Sequence, residues 1–525
     1  MKKLISVILV LVIVVGLCGC GGKKVNISYE RSSDPVTITY HYQAAGDRTY
    51  IPQIEEKLNE ILKSIKGYEN ITISLQPYFD DYQRDFTLAQ TAGKQIDIVQ
   101  TYNLPLSTNI KNGDFIELDD LLKKFPNIAK DIPDWVMDYG KLFGKQYYVP
   151  SYQQASNLSF IVMPTDYLNM YLDYNSTTRE KTEKLIQKGS VDDKLDFMED
   201  LCLAVRESTG LDSKWLFTGE FWDDNLISDI FFNQEYIEDT FDNWILREGD
   251  DAPVYWGYTD EYKTVMERFS QWYKDGLLHP EVTTVNYYKF AEDNFLNDES
   301  YVCLFEVETC DEEYLEKYLT DLYGVEMSAI RVTDHAYIPS QWGAGGQAIY
   351  ADCEHPVEAM MIIELLRSEM GEEFYNTLVF GLEGIHWQWK DKEKKQITTL
   401  EYDASQAEAG ATYGAYKWSN GNVIDHAWRN QAVRDGYYDY IVNEVNEGKN
   451  TVKSPAMGIT WDLSSVYSKF SQCQVVEKEY ANTIYISDDW EARYNEYISK
   501  LETAGVQDVL DVLKKQFNDF KKSKK

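Results

Sequence analysis

Residues 36–42 read VTITYHY, alternating apolar and polar side chains with a period of two, the pattern of a strand with one better-buried face. The period then changes. Ile51, Ile54, Leu58, Ile61, Leu62 and Ile65 fall at helical spacing, with Pro52 suited to a first turn and Gly67 to a stop. Ile71, Ile73 and Leu75 mark a second strand, 81–92 a second helix, and Ile96-Asp-Ile-Val99 a third strand. Strands joined by helices pair in parallel through right-handed crossovers, so the fold class is α/β. In such open sheets a ligand lies beyond the carboxyl ends of the strands, beside the switch in strand order. Those ends are 43–47 and 100–104. Gln43, Asp47, Tyr102 and Asn103 are therefore candidates to hydrogen-bond a ligand, although Asp47 is equally placed to cap the following helix.

The chain has 525 residues, more than one hydrophobic core usually organises. Lys plus Arg number 51 against 87 Asp plus Glu, a formal charge of −36, so nucleic acid and anionic surfaces are poor partners. Forty Tyr and 13 Trp supply rings on which the C–H face of a sugar packs while phenol and indole tips hydrogen-bond. Catalytic and metal motifs are lacking: there is no GxSxG elbow, no His-Glu-x-x-His helix and no EF-hand spacing. No catalytic residue, metal or cofactor is assigned, and the chain is not read as an enzyme.

Further along, 190–320 reads as largely helical, with a helix near 259–275 ended by Lys274-Asp-Gly276. Tyr301–Val307 reads as a strand, Gln341–Ile349 as a glycine-rich turn into another, and Pro356–Met370 as an interior helix, being apolar on most of its circumference. The tail holds two helices separated by Gly505, the first opened by the capping-box spacing of Asp488 and Glu491. Cys303 and Cys310 are spaced to bridge a hairpin or to remain buried thiols.

At the amino terminus, Lys2 and Lys3 precede an apolar run, Leu4–Leu17, shorter than a spanning helix requires. Residues 1–19 read as a signal peptide and 20–34 as a tether. Leu17-Cys18-Gly19-Cys20 resembles the lipobox of bacterial lipoproteins, which implies lipid on Cys20 and a mature chain anchored to the cell membrane on its extracellular face.

Several segments together resemble the extracellular solute-binding proteins of bacterial ABC importers, in the large two-lobed class that captures sugars and oligosaccharides. They are Asn112-Gly-Asp-Phe-Ile-Glu-Leu-Asp-Asp-Leu-Leu122, Phe143-Gly-Lys-Gln-Tyr-Tyr-Val-Pro150, Ser270-Gln-Trp-Tyr-Lys-Asp-Gly-Leu-Leu-His-Pro280, Gly381-Leu-Glu-Gly-Ile-His-Trp387 and Trp490-Glu-Ala-Arg-Tyr-Asn-Glu-Tyr497 with Ala504-Gly505. The last two are similar to a subgroup with an extra C-terminal domain of unknown function. The resemblance implies two α/β lobes joined by a hinge: 35–150 in the first lobe, 151–340 mainly in the second, 341–465 crossing between them, and 466–525 a C-terminal helical segment. It also implies a monomer that hands a small solute to the importer's membrane subunits. A secreted glycoside hydrolase and a peptide receptor are the competing readings. Tyr152 and Gln153 follow the expected crossing at Tyr148-Val-Pro150 and would face the cleft or pack in the hinge. Trp222 stands beside Asp223 and Asp224, and Trp342 lies in the glycine-rich turn, so both are candidate stacking platforms. Glu383 and His386 could pair to orient a ring, and Trp387 and Trp389 would point one way in an extended stretch; in the family this element often packs structurally.

Overall fold

A computed structural model describes residues 29–524 apart from 47, 80, 131, 154, 157, 217–231, 238–242, 283–299, 309–311, 341–344, 401–412, 416–418, 423–425, 427, 430–440, 450 and 481–482. The signal segment, Cys20, Asp47, Trp222, Cys310 and Trp342 lie outside the described residues.

The opening alternation becomes β1 (Val36–Gly46), which runs past its sequence pattern because both faces are covered: Ile38, Tyr40 and Tyr42 are buried, and so is His41. Helix α1 (Ile51–Ser64) carries Pro52 in its first turn and buries Ile54, Leu58, Ile61 and Leu62. Then come β2 (Ile71–Tyr78), α2 (Tyr82–Thr91) and β3 (Ile98–Gln100). Asp81 caps α2 by accepting from the Arg84 N–H at 2.9 Å. Strand β1 lies between β2 and β3 and runs parallel to both, so the second crossover passes over β1 and the strand order switches there.

Further elements, in chain order, are α3 (Leu106–Asn112), β4 (Tyr148–Pro150), β5 (Leu158–Pro164), α4 (Val191–Thr209), α5 (Asp260–Lys274), β6 (Leu304–Glu308), β7 (Met327–Arg331), β8 (Gly346–Ile349), α6 (Pro356–Leu365), α7 (Glu372–Phe380), β9 (Trp387–Asp391), β10 (Tyr413–Ala415), α8 (Tyr467–Tyr480), α9 (Trp490–Ala504) and α10 (Val506–Ser523). Beyond the parallel trio the first sheet is mixed. Strand β8 runs antiparallel to β3 and β4, and β10 antiparallel to Ala44–Gly46 of β1. Helix α6 is buried at every position but Glu364, as its continuous apolar surface predicts.

A second sheet places β5 between β6 and β7, antiparallel to each. Three cores result. In the first lobe one gathers β1, β2, α1, α6 and α7, and a smaller one gathers residues of α2, β3, α3 and β8. The third, in the second lobe, gathers β5, β7, α4 and α5 with α8, α9 and α10. The tail helices are thus part of the second lobe's interior. The N-cap of α9 is Asp489, which accepts from the Ala492 N–H at 3.0 Å, rather than the predicted Asp488. Gly505 adopts a left-handed φ of 96°, which closes α9 and starts α10. Cys303 is a buried free thiol. Among the described residues no helix is long and apolar enough to cross a membrane.

Candidate functional site

The carboxyl ends of β1 and β3 meet the amino end of β8 and the segment after β4. At this edge the Gln43 N–H donates to Gln100 Oε1 at 2.8 Å, and Asn103 Nδ2 donates to Gln43 Oε1 at 3.2 Å. Asn103 is exposed and has a left-handed φ of 60°, a conformation Asn tolerates better than most residues. Tyr102, half-buried, lies beside Gly345. Thr101 ties β3 to β8 twice: its N–H donates to the Gly346 carbonyl and its hydroxyl accepts from the Gly346 N–H, both at 2.9 Å. The Ser151 N–H donates to the Gly345 carbonyl at 2.9 Å, and the Tyr152 N–H to the Gly421 carbonyl at 3.3 Å. Gly345 is required by closeness: a Cβ there would sit 2.1 Å from Ser419 Oγ and 2.9 Å from the Tyr102 Cβ.

The structure therefore brings Gln43, Tyr102, Asn103, Tyr152 and Gln153 to one edge of the first lobe. Gln43 lies inside β1 rather than after it, because β10 extends the pairing to Gly46. Tyr152 and Gln153 are both buried. Sequence reading missed Gln100, Thr101, Ser151, Ser419 and Asn420, polar residues that are also buried here. Polar residues at strand ends were the available signal for the first three. Ser419 and Asn420 are far away in the chain.

Behind the edge, the Tyr40 hydroxyl donates to Asn420 Oδ1, and Gln347 Nε2 donates to the Ser419 carbonyl and, at 3.3 Å, to the Tyr40 oxygen. Arg367 donates to Gln347 Oε1 at 2.6 Å and to the carbonyls of Val149 and Pro150 at 2.8 and 3.1 Å. Desolvation pulls its pKa down to about 9. Burial likewise lowers His41 to about 4, so this imidazole is neutral at physiological pH. The network braces the strand ends and leaves hydroxyls and amides at the edge.

In the element around His386, two of the four candidate side chains, His386 and Trp387, pack inward. Gly381 and Gly384 take φ values of 82° and 80°, bending the chain so that His386 and Trp387 turn inward while Glu383 stays exposed. His386 Nδ1 accepts from the Leu382 N–H at 2.8 Å, and Trp387 Nε1 donates to the Gly381 carbonyl at 2.9 Å. The rings of Trp387 and Trp389 share one face of β9, 5.2 Å apart and edge-on, and Trp389 is half-exposed.

The lobes are joined by the segment between β4 and β5, the one between β7 and β8, and the return from β10 to α8. Buried Asn446 pins two of these together: its Oδ1 accepts from the Ala155 N–H at 2.9 Å and its Nδ2 donates to the Gln153 carbonyl at 3.0 Å. Tyr337–Ile338 pairs in parallel with Val452–Lys453. Asn446→Leu would leave a buried donor and a buried acceptor unsatisfied, an expected loss of about 2–4 kcal/mol measured by urea unfolding.

Residues 455–522 match a family model described as a domain of unknown function, DUF3502. No curated protein matches the chain. Among solved structures, the N-glycan transport solute binding protein NgtS from Streptococcus pneumoniae is 18% identical with a TM-score of 0.70, over 94% of this chain and 100% of that one. An extracellular solute-binding protein from Bifidobacterium longum subsp. infantis is 13% identical with a TM-score of 0.61, over 93% and 99%. The S. pneumoniae ABC-transporter substrate binding protein FusA, in complex with kestose, is 13% identical with a TM-score of 0.56, over 93% and 100%. Separate cores for two lobes, a mixed first sheet with its switch beside β1 and several crossings between lobes agree with these likenesses: the chain has the two-lobed fold of the extracellular solute-binding proteins.

Proposed function

We propose that the chain is the extracellular receptor of an ABC importer, capturing a carbohydrate, an oligosaccharide rather than a single sugar, and handing it on unchanged. The observation that carries this reading is the edge itself. Gln43 and Asn103 present uncharged amide groups beside the half-buried Tyr102 ring, over a layer of buried neutral residues, Gln100, Thr101, Ser151 and Gln153, with no charged side chain among them, a set suited to a neutral polyhydroxyl ligand. Of the proteins with the same fold, NgtS is solved in complex with Man1GlcNAc and with Man5GlcNAc, and FusA with kestose. Closure of the lobes removes water from both sides of the solute, and the importer's membrane subunits read the closed form. Gln43, Asp47, Tyr102, Asn103, Tyr152, Gln153, Trp222 and Trp342 belong to this ligand site, and the half-exposed ring of Trp389 is a further stacking surface. The mature receptor is a monomer held to the outer face of the membrane by lipid on Cys20.

Thermal unfolding with oligosaccharides, monosaccharides and peptides tests the reading. An oligosaccharide at about 100 times its Kd adds about 2.7 kcal/mol and raises Tm by several degrees. The Gln43→Ala and Asn103→Ala variants should need more ligand for the same rise. A shift with peptides alone, or hydrolysis of the glycan with multiple turnover, would overturn the proposal.

A further inference from the structure

The tail does more than complete the second lobe's core. Just ahead of α8, residues Thr460–Ser464 are carried on α10 and reach the first lobe. Gln516 of α10 grips Asp462 at the backbone, accepting from its N–H at 2.8 Å and donating to its carbonyl at 2.7 Å. Buried Trp461 lies 6.2 Å from the Phe517 ring. From this platform Asp462 forms an ion pair with Lys111 of α3, and Lys111 also donates to Ser464 Oγ at 3.0 Å. Ser107 Oγ, in the first turn of α3, donates to the Trp461 carbonyl at 3.2 Å, and the Phe143 N–H donates to Thr460 Oγ1 at 3.3 Å. The Lys111 ammonium stands 5.4 Å from the centre of the Phe143 ring. Lobe one thus offers a helix and the Phe143-Gly144 turn of a short hairpin, Lys141–Gln146, and the tail offers one short segment fixed to its last helix.

Helix α3 begins three residues after Asn103, so the loop that carries Tyr102 and Asn103 feeds directly into the helix that Asp462 holds. We propose that Thr460–Ser464, mounted on α10, is a clasp between the lobes that sets their resting angle and couples it to the ligand edge through α3. The domain of unknown function then has a mechanical role: it anchors one end of the clasp rigidly in the second lobe. The purpose of the clasp rests on the receptor reading above, but its existence does not. Lys111 and Asp462 are each about one-third exposed, so their attraction is partly screened by water and salt, and the clasp biases the lobe angle rather than locking it.

The test measures the distance between lobes with no ligand present. Leu88 of the first lobe and Leu322 of the second are 60% and 56% exposed, so Leu88→Cys and Leu322→Cys take spin labels without disturbing any core. In the mature chain so labelled, Lys111→Glu, Asp462→Lys and Gln516→Ala should each shift or broaden the distance distribution by electron–electron resonance, with the circular dichroism unchanged. The exchanged pair Lys111→Asp with Asp462→Lys should restore it, which a merely local perturbation would not. Glycan affinity should change about two- to fivefold in the single variants. Distributions identical to wild type in all three single variants would overturn the clasp. A chain that shows the shift yet binds no oligosaccharide would keep the clasp and refute the receptor reading, so the two failures are distinguishable.

Discussion

Ending the chain after Ser465 is expected to abolish cooperative folding of the second lobe. The deletion removes Phe470, Tyr480, Ile484, Tyr485, Tyr497, Leu501, Val506, Val509, Leu510, Leu513 and Phe517, all buried in the core that also holds Met266, Phe269 and Trp272 of α5. At about 1.5–3 kcal/mol for each large apolar side chain, the loss exceeds the 5–15 kcal/mol by which a domain is stable. Polar contacts add to it. Buried Glu477 of α8 accepts from the Asn243 N–H at 3.0 Å and from the Tyr255 hydroxyl at 3.2 Å, and Tyr255 and Tyr497 join hydroxyl to hydroxyl at 2.8 Å. Each buried group left without its partner costs about 1–3 kcal/mol. Hydrogen exchange reads the result: amides of α4 and α5 should lose their protection in the truncated chain. Full protection there would show that the tail is an accessory.

Glu235→Gln is expected to stabilise the second lobe at pH 8 and to change little at pH 4. The carboxyl of Glu235 is 2% exposed, and it accepts from the Ser340 N–H where the chain crosses toward β8. Its charge is felt by the phenols of part-buried Tyr139 and buried Tyr337, both pushed above their ordinary range, chiefly by desolvation. Burial lifts the carboxyl from 4.5 to about 7. The folded chain therefore holds this proton more tightly than the unfolded one. The resulting stability is complete below pH 4.5 and is lost as pH rises through 7, about 3 kcal/mol in all at 1.36 kcal/mol per unit. The amide keeps an acceptor for Ser340 and has no proton to lose, so urea unfolding of the variant should show a flatter pH profile between 5 and 8. An equal slope in both proteins would refute the assignment.

Local patterns carried much of the architecture. The period-two run at 36–42, the helical spacing from Ile51 to Ile65 and the caps around them are short-range facts, because backbone sterics and the burial of one face act over a few residues. The rule that ligands lie past the strand ends singled out Gln43, Tyr102 and Asn103, and the fold brings them to one edge, with Gln43 still inside β1. The interior helix at 356–365 was legible for the same reason, since a helix apolar all round has to be covered.

What escaped the sequence was set by partners distant along the chain. Tyr40 meets Asn420 across 380 positions, and Asn446 pins Ala155 across 291. No local pattern marks such a residue, because its neighbours are chosen by the packing of whole lobes. The stretch at 381–389 reads as a display of rings, yet two glycines with positive φ fold His386 and Trp387 inward. The tail shows the same limit in another form. The amphipathic faces of α9 and α10 announce that something covers them, since apolar surface leaves water wherever it can; that the cover is the second lobe, and that Asp462 reaches from there to Lys111, depends on where the assembled chain brings those surfaces together.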